Sequence, residues 1–405
     1  MTGKHVAADK SRLSTGGRTM AINSEWIERL VQDQVQESLH LDFKRELPTK
    51  REDSRKELLK DVCALANTEG GRIVYGVREG NDGLAEAIVP IASEDRDDAQ
   101  RRLDQCIADG IEPRVVGYTV LAISVDGGYV LVVEVPQQYG GPFQTNFNNQ
   151  RKFIYRQGTM NLEMNYGQLR AAFQLRGRVS QAATEWRIGR LAHLDRSIQK
   201  RQLEDVAWLT LHIVPHQSLF GDSQIDIHAV RNRHRSLIEG DHTLSSTFTA
   251  DGLLYTDAGR GEPKSKFIRI FRSGLVEVVW KGRARQELGK LVIHGYTATA
   301  LMRNASKNCA IALGQVGITG PAYIALSGIN AEGYGLLYPG PDFPQEAAAP
   351  WEPAIELPML EVDSLAQLAT DPDIWCRQLA NMLFQTFGLE ECPFYSADGK
   401  WISRG

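Results

Sequence analysis

The 405-residue sequence has no run of 18 apolar residues, so nothing in it reads as a transmembrane helix. It has only five cysteines, Cys63, Cys106, Cys309, Cys376 and Cys392, far apart and never as CxxC. That pattern excludes a disulfide framework and a zinc knuckle, and it points to a reducing, cytoplasmic setting. No GxxxxGK[ST] occurs, which excludes a P-loop for ATP. Gly314, Gly317 and Gly320 lack the dinucleotide spacing, which excludes NAD. There is no Gly-x-Ser-x-Gly elbow and no internal repeat of short period. The pairs His212/His216 and His228/His234 have no cysteine near them and read as structural histidines, so no zinc is expected.

An excess of one charge is also lacking: 46 Lys and Arg stand against 50 Asp and Glu, for −4. That average hides an uneven distribution. Residues 340–399 hold eleven acids and one base, which leaves the rest of the chain at +6. A mildly basic body permits a polyanion partner without demanding one.

Hydrophobic periodicity divides the chain into five stretches and assigns it to the α+β class. Residues 1–21 are basic without an apolar h-region and read as a flexible leader rather than a secretory signal. Residues 22–175 order as α-β-α-β-β-α-β-β-β-α, with Asn23 capping the first helix and Ser93 a later one over Glu94–Asp109. Residues 176–205 form a basic helical bridge. Residues 206–339 read as a second α+β domain, with strands at 208–214, 266–272, 275–280, 310–317 and 323–327 and a helix over 296–307. Residues 340–405 read as a Pro-rich acidic connector and a final helix started by Asp371-Pro372. A free acidic segment of this kind has the charge to mimic nucleic acid, although a solvated tail is the plainer reading.

The informative residues lie near the start. Ser38 to Lys44 alternates polar and apolar, so His40, Asp42 and Lys44 share one strand face and Leu41 and Phe43 the other. A carboxylate two residues from a lysine on one face suits phosphate chemistry, because the acid holds Mg²⁺ or Mn²⁺ and the ammonium sits by the phosphate. Glu37 precedes the strand as a second carboxylate. Glu79, or as backup Asp82, follows Val77 as a third. Taken alone, an Asp-x-Lys pair is more often a solvated strand face. Gly70-Gly71 reads as a helix end leading into a strand.

Glu37-x4-Asp42-Phe43-Lys44, the helix end Ala64-Leu-Ala-Asn67-Thr-Glu-Gly70-Gly71, the Gly76-Val77 strand, Val135-Pro136, Gly141-Pro142 and Ile154-Tyr155-Arg156-Gln157-Gly158-Thr159 together resemble the AlbA_2 domain of the Schlafen family, also termed divergent AAA or Schlafen-type DNA-binding domain. The resemblance covers about residues 22–175. It implies a nucleic-acid-binding fold. It also implies, from some members, a metal-dependent endoribonuclease acting on tRNA or other structured RNA, in stress or phage defence. On that reading Glu37, Asp42 and Glu79 are metal ligands for Mg²⁺ or Mn²⁺, and Lys44 assists catalysis. The sequence departs from the family in having Asp42 where Glu is usual, and Arg78-Glu79 where an Asp is usual.

The same reading makes Lys44, Arg45, Lys50, Arg51, Arg72, Arg78, Arg151, Lys152 and Arg156 candidates for contact with RNA or DNA phosphates. Tyr139, Phe143, Phe147 and Phe153 are candidates for stacking on bases. The family resemblance leaves room for a homodimer supplying a second lobe, and 206–405 for a protein partner. The competing reading is a non-enzymatic nucleic-acid-binding transcriptional regulator.

Overall fold

The computed structural model describes residues 22–402 except 81, 149, 201–202, 221–223, 234–243, 258–264, 283–284, 288–289, 339–345 and 351–353. The expected leader and His234 therefore lie outside the described residues. The chain divides into two units, 1–176 and 177–405. Both combine helices with sheets, in keeping with the α+β class.

From residue 22 to residue 199 the order is α1 (Ser24–Gln32), β1 (Leu41–Lys44), α2 (Glu52–Ala66), β2 (Gly71–Tyr75), β3 (Val77–Glu79), β4 (Ala85–Ile88), α3 (Arg96–Gly110), β5 (Ile111–Glu112), β6 (Thr119–Val125), β7 (Gly128–Val135), β8 (Gln144–Phe147), β9 (Gln150–Lys152), β10 (Ile154–Gln157), β11 (Met160–Glu163) and α4 (Tyr166–Gln199), the last of which runs across the boundary between the units. Asn23 caps α1 as expected, its Oδ1 accepting from Trp26 N at 2.9 Å. Asp95, not Ser93, caps α3, accepting from the amides of Asp97 and Asp98.

The central sheet runs β1-β2-β7-β6, with β1 and β2 parallel and the other pairs antiparallel. Strand alternation gives it two apolar faces. Ile73, Tyr75, Leu131 and Val133 pack against α2 and α3. Leu41, Phe43, Val74, Val130 and Val132 pack with Trp26, Ile27 and Leu30 of α1. Asp42, opposite Ile73 in the register, faces the α2 side from the edge strand.

The second unit is built on a seven-stranded antiparallel sheet, ordered Ser245–Thr249, Gly252–Thr256, Lys266–Phe271, Val276–Lys281, Trp208–Pro215, Ala322–Ile329, Leu360–Val362. The helix Gly295–Gly314 buries Ala298, Met302, Ala305, Cys309, Ala312 and Leu313 in its core. Residues 310–314 are thus helical, where the sequence suggested a strand over 310–317. A short apolar run fits a buried helix as well as a buried strand, and here it continues an Ala-rich helix. The expected free acidic segment is also revised. Ile355, Leu357, Trp375, Leu379, Leu383 and Phe384 are buried in the same core as Leu209 and Leu211. The expected bridge is part of the 34-residue α4, and its Arg187 and Arg190 are engaged rather than solvated. Arg187 donates to Ser327 Oγ at 2.7 Å, and Arg190 makes two 2.8 Å bonds to Glu277.

All five cysteines are free and buried. Among the described residues no helix is long and apolar enough to cross a membrane.

Candidate functional site

Two glycine devices place the acids. Gly70 adopts φ +75° after α2, and a Cβ there would lie 2.5 Å from Val135 O. At Gly71 a Cβ would lie 2.6 Å from His40 O. Only glycines let the helix end turn this tightly into β2, alongside the backbone that leads into β1. At Gly76 (φ +96°) the chain leaves the sheet: its amide bonds Lys44 O at 2.8 Å, and β3 pairs with β4 instead. The segment before β1 is pinned to the same hairpin, with Glu37 N donating to Gly83 O and Ala85 N to Val35 O. Val77 and Glu79 are two apart and would share a face. A register shift between Arg78 and Glu79 lets Val77 stay buried while Glu79 is exposed.

Glu37 Oε1 accepts from Phe43 N at 2.7 Å, which holds its carboxyl beside β1. Burial and the negative neighbours Asp42 and Glu79 push its pKa up to about 7, against the pull of the Phe43 amide, and the carboxyl shares a hydrogen bond with Glu79. Asp42 is buried, and both its oxygens meet cations: Oδ1 accepts from Arg156 Nη2 at 3.0 Å, and Oδ2 lies 2.8 Å from Lys44 Nζ. Glu37, Asp42 and Glu79 are thus neighbours. Among the described residues, however, no three His, Cys, Asp or Glu side chains are arranged to hold a metal ion. The backup acid Asp82 turns elsewhere, its Oδ1 accepting from Leu84 N in the β3–β4 turn.

Asp61 joins this cluster and was not picked out as a site residue from the sequence. It is buried on α2, and Asn161 Nδ2 donates to its Oδ1 at 2.6 Å. Burial pushes its pKa up to about 7, with Lys44 opposing and Asp42 adding to the rise. Burial works to lower the Lys44 pKa, but Asp61, Asp42 and Glu37 outweigh it and hold the ammonium above its ordinary value. The signal for Asp61 lay in its position: Leu58, Asp61, Val62 and Leu65 have the i, i+3, i+4, i+7 spacing of a buried helix stripe, and one of the four is an acid.

The Asn67-Thr68 pair of the helix-end motif is scaffolding. Asn67 Nδ2 donates to Phe143 O and Ile154 O, and its Oδ1 accepts from Phe143 N. Thr68 Oγ1 accepts from Arg156 N at 3.0 Å. These bonds seat β10 so that Arg156 reaches beneath Asp42.

Arg156 is therefore not a phosphate contact. It is 2% exposed and bonds Ser38 O, Leu41 O and Asp42. Phe143 is likewise core rather than a stacking surface. Arg72 is half-buried, paired with Glu134 at 2.6 Å and lying over the Trp26 ring. Lys152 pairs with Glu163 at 2.7 Å, Arg78 with Glu86 at 3.3 Å and Arg151 with Glu112 at 3.7 Å. Arg45, Lys50 and Arg51, on the loop from β1 to α2, are exposed.

In the second unit His212 is buried with Nε2 3.4 Å from Glu277 Oε2 and its ring edge-on to Trp186. Burial lowers its pKa, against the raising effect of Glu277. Its setting is that of a structural histidine.

Residues 37–165 match the family model described as Schlafen, AlbA_2. No curated protein matches the chain. Among solved structures, the N-terminal domain of a putative ATP-dependent DNA helicase RecG-related protein from Nitrosomonas europaea is 23% identical. The match covers 34% of this chain and 89% of that one, with a TM-score of 0.26. The DIP2311 protein from Corynebacterium diphtheriae is 18% identical over 35% of this chain and 29% of that one, with a TM-score of 0.25.

Proposed function

We propose, for a chain whose residues 37–165 form a Schlafen AlbA_2 domain, that the protein binds nucleic acid and cleaves RNA at the cluster of Glu37, Asp42, Lys44 and Glu79. The domain family associates the chain with nucleic acid; the cleavage is our reading. One arrangement carries it: Glu37, Asp42 and Glu79 gather their carboxyls beside Lys44, with Asp42 Oδ2 2.8 Å from its Nζ, and burial together with this crowding pushes the Glu37 pKa up to about 7. Such a cluster is short of positive charge, and a divalent cation is the ligand that corrects this with hard oxygen donors.

Glu37 and Glu79 would hold Mg²⁺ or Mn²⁺, which bind through one or two carboxylates completed by water and phosphate. Bound there, the ion supplies charge for the developing phosphorane and an acidified water. Glu37 must give up its proton to serve as a ligand. Asp42, anchored by Arg156, holds Lys44 in place. Lys44, kept charged by Asp42 and Asp61, meets the scissile phosphate. Arg45, Lys50 and Arg51 line the approach and contact flanking phosphates. By resemblance to the family, the substrate class is tRNA or other structured RNA, a second copy of the chain supplies a second lobe, and the setting is stress or phage defence.

The test is incubation of the full-length protein with tRNA and with single-stranded DNA in Mn²⁺, Mg²⁺ or EDTA, alongside Asp42→Ala. Metal-dependent RNA cleavage lost in the variant supports the proposal. Cleavage by Asp42→Ala at the wild-type rate overturns the site. RNA bound but intact in every metal condition favours the regulator reading instead.

A further inference from the structure

A cavity of about 370 Å³ opens between α2 and α3, just past the loop that leaves β1. Its floor is apolar: Pro48, Leu58 and Cys106, the last two buried at 2% and 7% exposure. Lys50, Arg55 and Arg102 form its cationic rim. Arg102 is neutralised by two bonds to Glu94. Among the described residues neither Lys50 nor Arg55 has an ion-pair partner. Arg55 instead lies over the Phe147 ring, its Cζ 5.3 Å from the centroid. Gln105 and Asp109 complete the wall, joined by a 2.7 Å bond from Gln105 Nε2 to Asp109 Oδ2.

Each part has a counterpart in one ligand class. An apolar floor takes the face of a heterocycle. A guanidinium plane backed by an aromatic ring is a stacking surface for an unpaired base. An amide beside a carboxylate offers donors and acceptors to a base edge. Two unpaired cations at the rim suit the attached phosphates. A lipid chain would leave the Gln105–Asp109 wall without such a match.

The position agrees. Pro48 and Lys50 lie within six residues of Lys44, and Arg55 is about 9 Å along the α2 axis from Asp61 at 1.5 Å per residue. The opening is thus close along the chain to Lys44.

We propose that this cavity takes one splayed-out, unpaired nucleotide of the bound RNA strand, with Arg55 stacked on its base and Lys50 on its phosphate. The inference rests on the nucleic-acid-binding reading above and adds a base-recognition site to it. It predicts selection of substrates with an unpaired nucleotide a fixed distance from the cleaved bond.

The test is binding of full-length protein to a single-stranded RNA in which each nucleotide in turn is made abasic. One position should weaken binding about tenfold, the size of a single lost stack. Arg55→Lys, which keeps the charge of an exposed side chain but loses its plane, should weaken intact RNA by a similar factor. It should weaken the abasic RNA at that one position hardly at all. Lys50→Gln should weaken every RNA alike and lower the salt dependence. A flat abasic scan on RNA that wild type binds overturns the cavity and leaves the nucleic-acid reading standing. Wild-type protein that binds no RNA overturns both. Competition by free nucleoside monophosphates as strong as by the RNA assigns the cavity to a free nucleotide and overturns its assignment to the strand.

Discussion

Arg156 Nη2 donates to Asp42 Oδ1 at 3.0 Å across 114 residues of sequence, with both side chains almost wholly buried. Asp42 thereby carries two cations, Arg156 beneath and Lys44 toward the surface. The pair is the keystone of the acidic cluster, because it ties the buried carboxylate of β1 to a cation brought in by β10.

Removing that anchor should be costly. Arg156→Met leaves Asp42 buried with only Lys44, and loss of one partner of a buried pair costs about 3–5 kcal/mol. Thermal unfolding should show the loss, and adding Asp42→Asn to the variant should recover part of it. Equal stability of Arg156→Met and wild type would show that the pair contributes nothing.

Asp61 should make the protein less stable as pH rises. Its folded pKa, about 7, is above the ordinary 3.8, so the folded state holds the proton more tightly. The stabilisation is complete below about pH 4 and is lost as pH rises through about 7. The difference is at most about 4 kcal/mol. Asp61→Asn should therefore be more stable than wild type at pH 8, with the advantage gone at pH 4. Unfolding curves at the two pH values check the sign.

Glu277 should act in the opposite sense. Burial alone would raise its pKa, but hydrogen bonds from His212 and Arg190 and their charges bring it down to about 2, from 4.5. Its stabilisation is present above about pH 4.5 and is lost as pH falls toward 2, a difference of about 3 kcal/mol. Glu277→Gln should destabilise at neutral pH and flatten the acid limb of stability, which an acid titration followed by tryptophan fluorescence would record.

On the proposed function, metal-dependent cleavage should rise with pH until Glu37 has lost its proton, at about 7, by roughly tenfold per unit below that point. Glu37→Gln should lose activity at every pH while keeping its affinity for RNA in EDTA. A rate independent of pH between 5 and 8 would remove Glu37 from the ligand set.

Much of the site's layout is legible in the sequence. Alternation along residues 38–44 put Asp42 and Lys44 on the face opposite Leu41 and Phe43, and the sheet keeps that division because α1 covers one side and α2 the other. The Gly70-Gly71 helix end was equally plain, since its left-handed and close-approach demands are local. Residues 310–314 are helical where the sequence reads as a strand, because a short apolar stretch has the same composition in a buried helix as in a strand.

The sequence by itself determined the local matters: the alternation of the first strand, the glycine turns, the lack of cofactor motifs, and which acids and lysine lie near one strand. Only the tertiary structure decided which charges are partnered. Arg156, counted with the surface cations, is sequestered under Asp42, and Asp61, a helix residue among hydrophobes, faces Lys44. The physical reason is that a charge's role depends on its solvation and on neighbours brought from far along the chain, and neither is encoded in local spacing.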